Sequence, residues 1–69
     1  VEYVSLSEIY DALKAAGFSV AWSPGHTTVY VLLGRRISKL EVVTALEAQG
    51  LEFDENRISS NGFMVEVRA

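Results

Sequence analysis

Three places in this 69-residue chain hold side chains that can do chemistry. The first is His26, the only histidine and the residue type most often used as a general acid or base. It closes the run Ser23-Pro24-Gly25-His26, which has turn chemistry, and Thr27 and Thr28 follow it. The second is Gly34-Arg35-Arg36-Ile37-Ser38-Lys39, which holds half of the six basic residues. Placed at a helix start, its guanidiniums and free amides suit a phosphate or a carboxylate. The third is Glu52-Phe53-Asp54-Glu55, where the carboxylates at 52 and 54 share one face of an extended segment. A calcium loop needs more oxygen ligands and a glycine at its sharp turn, so solvated acids and no metal are expected there.

Composition removes several classes of function. There is no cysteine, which excludes thiolate zinc sites, redox pairs and a cysteine nucleophile. One histidine excludes a His-pair metal site within one chain. No phosphate loop, dinucleotide glycine pattern or nucleophile elbow occurs, so no cofactor is implied. The net charge of −3 gives no global basic field toward nucleic acid or an anionic membrane. No apolar run is long enough to span a membrane, and no export leader is visible, so a cytoplasmic protein is the expectation. With 49% hydrophobic residues the chain is expected to fold, as one domain over 1–69.

The run Ala12-Leu13-Lys14-Ala15-Ala16-Gly17-Phe18, continued by Gly25-His26-Thr27-Thr28-Val29-Tyr30, resembles the start of the HicA-type messenger-RNA interferases. Those small toxins place a catalytic histidine after a helix and a strand. The resemblance implies an RNase role for His26. It covers under half of the chain, lacks the family's serine between Gly25 and His26, and has a shorter strand-to-helix spacing. The chain is also acidic where an RNA nuclease is usually basic.

The elements that must position these residues come from an internal repeat. Val4–Phe18 aligns with Ile37–Leu51 at a constant offset of 33, with six identities in fifteen positions. Chance would give about one in fifteen. The repeat as a whole runs over 4–33 and 37–67. Ser5 and Glu8 form a capping box, and so do Ser38 and Glu41. Val4 with Ile9, and Ile37 with Val42, fit the hydrophobic staple, while Gly17 and Gly50 fit helix stops. Helices are predicted over about Leu6–Ala16 and Lys39–Gln49. Their core stripes are Leu6, Ile9, Tyr10 and Leu13, and Leu40, Val43 and Leu46 with Val42 beside them. Alternation predicts strands at Phe18–Trp22, Thr27–Leu33 and Gly62–Arg68, with a short strand at Val1–Val4. Leu51–Asp54 reads as the counterpart of the first strand, and Glu55–Asn61 as a polar connection able to hold a bent strand.

The fold class is therefore α+β: a duplicated αββ unit, or a ferredoxin-like βαββαβ core plus one strand. Either gives one four- to five-stranded sheet with two helices on one face. The uncovered face then carries Ser19, Ala21, Tyr30, Leu32, Glu52, Asp54, Met64, Glu66 and Arg68, with Tyr3 as a possible addition. Tyr30, Leu32, Met64 and Tyr3 are the residues water tolerates least. The leading expectation is a non-catalytic interaction module that binds a protein partner, or itself as a homodimer, through this face or a sheet edge. Tyr30, Leu32 and Met64 are its apolar contacts, and Arg35 and Arg36 a separate polar contact. Two alternatives stand beside it: nucleic-acid binding by the Gly34–Lys39 turn and the open face, and a small RNase using His26.

Overall fold

The computed structural model describes residues 3–69. Helix α1 spans Leu6–Ala15, strand β1 Ser19–Ala21, strand β2 Thr28–Leu32 and helix α2 Lys39–Ala48. A 3-10 turn at Glu55–Arg57 leads into strand β3, Ile58–Asn61, and strand β4, Met64–Arg68. The class is α+β, with two helices and a four-stranded sheet in the order β1-β2-β4-β3. All three strand pairings are antiparallel.

Local chemistry sets the helix ends. At α1, Glu8 N–H donates to Ser5 Oγ and Ser5 N–H donates back to Glu8 Oε2. At α2, Ser38 N–H donates to Glu41 Oε2 at 3.1 Å. Both C-termini close in the same two-bond motif. Phe18 N–H reaches Leu13 O while Gly17 N–H reaches Lys14 O, and Leu51 and Gly50 repeat this on Leu46 and Glu47. The turn needs a left-handed residue, and Gly17 and Gly50 supply it at φ 96° and 73°. The apolar pairs Phe18–Leu13 and Leu51–Leu46 occupy the positions that accompany this motif.

The core lies between the helices and one sheet face. Val29, Val31, Val65, Val67 and Ile58 come from the sheet, and Ile9, Ala12, Leu13, Val42, Val43 and Leu46 from the helices. Ile37, just ahead of α2, is buried with them. Across the helix interface, Gln49 Nε2 donates to Ala12 O at 2.7 Å.

Four expectations change. Leu40 is 70% exposed and leaves the core stripe. At roughly 100° per residue, Val42, Val43 and Leu46 centre a stripe that lies about 115° from Leu40. The segment Leu51–Asp54 is irregular, and the third strand forms instead at Ile58–Asn61. A two-residue loop causes this: Gly62, at φ 64°, and Phe63 fold β3 directly onto β4 in the pattern of a type II′ turn. Phe63 sits at that tip and is 57% exposed, so it does not face the helices. Finally, Tyr3 and Val4 carry no strand, and the rest of the Val1–Val4 expectation lies outside the described residues. Among the described residues no strand precedes α1, which the ferredoxin-like alternative requires.

The shifted stripe has a direct check. Leu40→Lys should change stability by no more than about 0.5 kcal/mol, as for ordinary surface sites. Leu46→Ala should cost about 2–5 kcal/mol, as for a buried leucine. Urea denaturation of the two variants reads the difference.

Candidate functional site

Strand period and register build the open face. Along β2, Val29 and Val31 are fully buried, so Tyr30 and Leu32 must point away from the helices. Along β4, Val65 and Val67 point inward, which puts Met64, Glu66 and Arg68 outside. Leu32 is opposite Met64 on one side and Ser19 on the other. Tyr30 is opposite Glu66 and Ala21, and Thr28 is opposite Arg68. Directly opposed side chains have their Cβ atoms about 5 Å apart. Tyr30, Leu32 and Met64 thus form one contiguous patch. Tyr30 is 38% and Leu32 42% exposed, while Met64 is half-buried between its neighbours.

The acids on this face are fewer than expected. Glu52 and Asp54 lie in the irregular segment, off the sheet. Ser59 and Asn61 of β3 stand opposite Glu66 and Met64. Glu66 is therefore the only acid on the open face of the four strands. Its neighbour Arg68 is engaged toward the β3 side, donating to Ser59 Oγ at 3.1 Å and to Asn56 O at 3.2 Å.

The Gly34–Lys39 turn is partly self-neutralised. Arg35 binds Glu41 through two guanidinium nitrogens, at 2.7 and 3.3 Å. It also donates to Arg36 O at 2.9 Å. The same Glu41 carboxylate accepts from the helix-start amide of Ser38, so it occupies the place an external anion would take. The hydrogen bond from Arg35, then that from Ser38, holds the Glu41 carboxyl below its ordinary range, and Glu41 raises Arg35 in turn. Arg36 is exposed and remains available.

His26 stands at the hairpin tip and is exposed. Its backbone, not its ring, is engaged: His26 O accepts from Trp22 Nε1 at 3.1 Å. A general base needs an orienting partner and a nucleophile within reach. Among the described residues the imidazole has no hydrogen-bonded carboxylate, and Ser23 is the hydroxyl that shares its turn. The three places that sequence singled out, His26, the basic turn and the acidic stretch, do not converge on one site. The described residues hold no group of three or more acid, histidine or cysteine side chains arranged for a metal.

Sequence reasoning missed a cleft of about 200 Å³ beside the patch, lined by Ala21, Trp22, Ser23, His26, Thr28 and Tyr30. The Trp22 side chain packs toward the helices, its ring 5.7 Å from that of Tyr10, and Lys14 sits 5.1 Å over Tyr10. The signal was the Pro24-Gly25 turn, which folds Trp22 back onto His26 and the start of β2. A second concavity, about 180 Å³, lies on the helix side between Val4, Ile9, Phe53 and Val67, with Arg57 and Arg68 among its lining residues. Both of those guanidiniums are already engaged, Arg57 by Asp54 at 3.6 Å and Arg68 as above.

Comparison with protein-family models, with curated proteins and with solved structures finds no match for this chain. No helix among the described residues is long and apolar enough to cross a membrane.

The Arg35–Glu41 pair predicts a pH dependence with a definite sign. A carboxyl lowered in the folded state adds stability above its ordinary value of 4.5, and that stability is lost as pH falls through the lowered value. The stability gap between the parent protein and Arg35→Ala should therefore be full at about pH 7 and shrink below about pH 4. Urea titrations across that range read the gap, and a gap that widens in acid contradicts the assignment.

Proposed function

We propose that this protein is a non-catalytic interaction module that binds a protein through its open sheet face. One observation carries the reading. The β2–β4 register sets Tyr30, Leu32 and Met64 side by side on a face that neither helix covers. Contiguous exposed apolar surface of this kind marks contact sites, and tyrosine and methionine are favoured in them. Hydroxyl and amide side chains, Ser19, Thr28, Ser59 and Asn61, surround the patch, which is the apolar-centre and polar-rim layout of an interface. Arg36 is a separate polar contact at the end of the sheet where Leu32 lies.

The open face is favoured over the Gly34–Lys39 turn because Glu41 already engages Arg35. It is favoured over His26 chemistry because the imidazole has no orienting partner among the described residues. A second copy of the chain is a partner of the same class, since a two-fold arrangement sets one patch against itself.

The double variant Tyr30→Glu with Leu32→Lys separates contact from folding. Both positions are exposed, so its circular dichroism and thermal midpoint should stay close to those of the parent. Its binding to any captured partner, or its concentration-dependent mass by sedimentation, should fall at least about tenfold, as for removal of central contacts. Equal binding and equal mass in the variant reject the face.

A further inference from the structure

The two edges of the sheet are finished differently, and the phase of the hydrogen bonds shows how. Ala69 N–H donates to Thr27 O at 2.8 Å, one step beyond Thr28–Arg68 in the β2–β4 register. Bonded pairs alternate along an antiparallel ladder, so Val29–Val67 and Val31–Val65 are bonded too. Tyr30 and Leu32 then turn their backbone toward β1, where Ala21 and Ser19 stand opposite. Val20, between these two, has its N–H and C=O on the outer edge, in line with Phe18 C=O and Trp22 N–H. None of these groups has a hydrogen-bond partner among the described residues. On the β3 edge the same phase turns Ile58 and Ser60 outward. There the chain closes its own edge at both ends. Ile58 N–H donates to Glu55 O, and Gly62 O accepts from Ile37 N–H at 3.0 Å. Charged Glu55 and Arg57 stand at its start. The run Phe18–Ser23 has neither a charge nor a proline, the devices that guard an exposed edge.

We infer that two copies of this protein join edge to edge through β1, antiparallel about a two-fold axis at Val20, so that each four-stranded sheet continues into the other. The edge is complementary to itself. With Val20 opposite the second copy's Val20, each Val20 N–H meets the other's C=O, and each Trp22 N–H meets the other's Phe18 C=O. All the free groups named above are then satisfied. Phe18, Val20 and Trp22 are half-buried on the helix side. Across the seam they pair valine with valine and phenylalanine with tryptophan, an apolar ladder with an aromatic pair at each end. On the open face Ser19 lies opposite Ala21, and both are small enough to let the strands close. Helix α1 packs over β1 and β2, so two strand spacings set it about 10 Å from its copy, the ordinary distance of packed helices. The pairing goes beyond the open-face reading and leaves Tyr30, Leu32 and Met64 free for a partner.

Sedimentation and amide hydrogen exchange over a range of protein concentration test the pairing. The mass should rise toward twice that of the chain. The Val20 and Trp22 amides should exchange about tenfold more slowly once about nine-tenths of the protein is paired, while that of Ser60, on the other edge, should not change. Ser19→Lys with Ala21→Lys sets lysine opposite lysine across the seam at two exposed positions. This variant should keep the circular dichroism of the parent and associate at least about tenfold more weakly. Mixing it with Ser19→Glu with Ala21→Glu should restore pairing as mixed dimers. Tyr30→Glu with Leu32→Lys should associate as the parent does. A protein that stays monomeric at the highest concentration overturns the proposal. So does a dimer whose Val20 and Trp22 amides exchange as in the monomer, or a lysine variant that pairs as well as the parent. Loss of the dimer in Tyr30→Glu with Leu32→Lys also overturns it and assigns self-association to the open face. Protection of Val20 only when another protein is present overturns it in favour of a foreign strand. If the dimer fails while Tyr30→Glu with Leu32→Lys loses a captured partner, the edge falls and the open face stands.

Discussion

The β2–β4 pairing is the constraint on which the rest of the structure depends. It alone joins the two hairpins into a sheet, through five residue pairs from Thr28–Arg68 to Leu32–Met64. Its inward positions supply Val29, Val31, Val65 and Val67, the centre of the core. Its outward positions supply Tyr30, Leu32, Met64 and Glu66. Because side chains alternate strictly along a strand, the two sets are not independent. A slip of β4 by one residue would expose Val65 and Val67 and turn Met64 and Glu66 toward the helices. The core therefore fixes the arrangement of the open face without any contact made on that face.

The helices limit function in a similar way. A bare helix start near two arginines and a lysine is an inviting anion site. Here Glu41 fills it from within, serving as cap for Ser38 and as partner for Arg35. One side chain thus stabilises the helix start and lowers the local positive field. The cost falls on nucleic-acid binding by that turn, since any phosphate must displace a carboxylate held by two residues.

Much of the architecture was legible in the sequence because it rests on local chemistry. The Ser-x-x-Glu boxes, the glycine stops and the alternation in Thr28–Leu32 and Met64–Arg68 each act within a few residues. Leu40 was misplaced for want of one comparison: at the offset of 33 it aligns with Ser7, an exposed residue. The third strand was legible only as a bent segment allowed within Glu55–Asn61, for a different reason. Ile58-Ser59-Ser60-Asn61 has no apolar alternation, and it becomes a strand because the Gly62-Phe63 loop lays it along β4. Tertiary pairing overrode weak local preference there. Of the site, the residue identities were readable from period two, but their adjacency required the register. The cleft at the β1–β2 hairpin needed the turn that brings Ser23 and His26 beside Tyr30, which no single period encodes.

The long reach of the β2–β4 ladder also bears on when the open face comes into being. Each hairpin closes over a short loop, but Thr28 and Arg68 are separated by more than half of the chain. Loop closure makes that ladder the costliest pairing in the sheet to form. Neither hairpin alone presents Tyr30 beside Glu66 or Leu32 beside Met64. The surface therefore exists only in the completed fold, and a partly folded chain offers no half-strength version of it. Any molecule that binds there binds the native state and not its precursors, so occupancy adds its binding free energy to stability by mass action. For so small a core, a bound partner then also acts as a brace that keeps the two hairpins together.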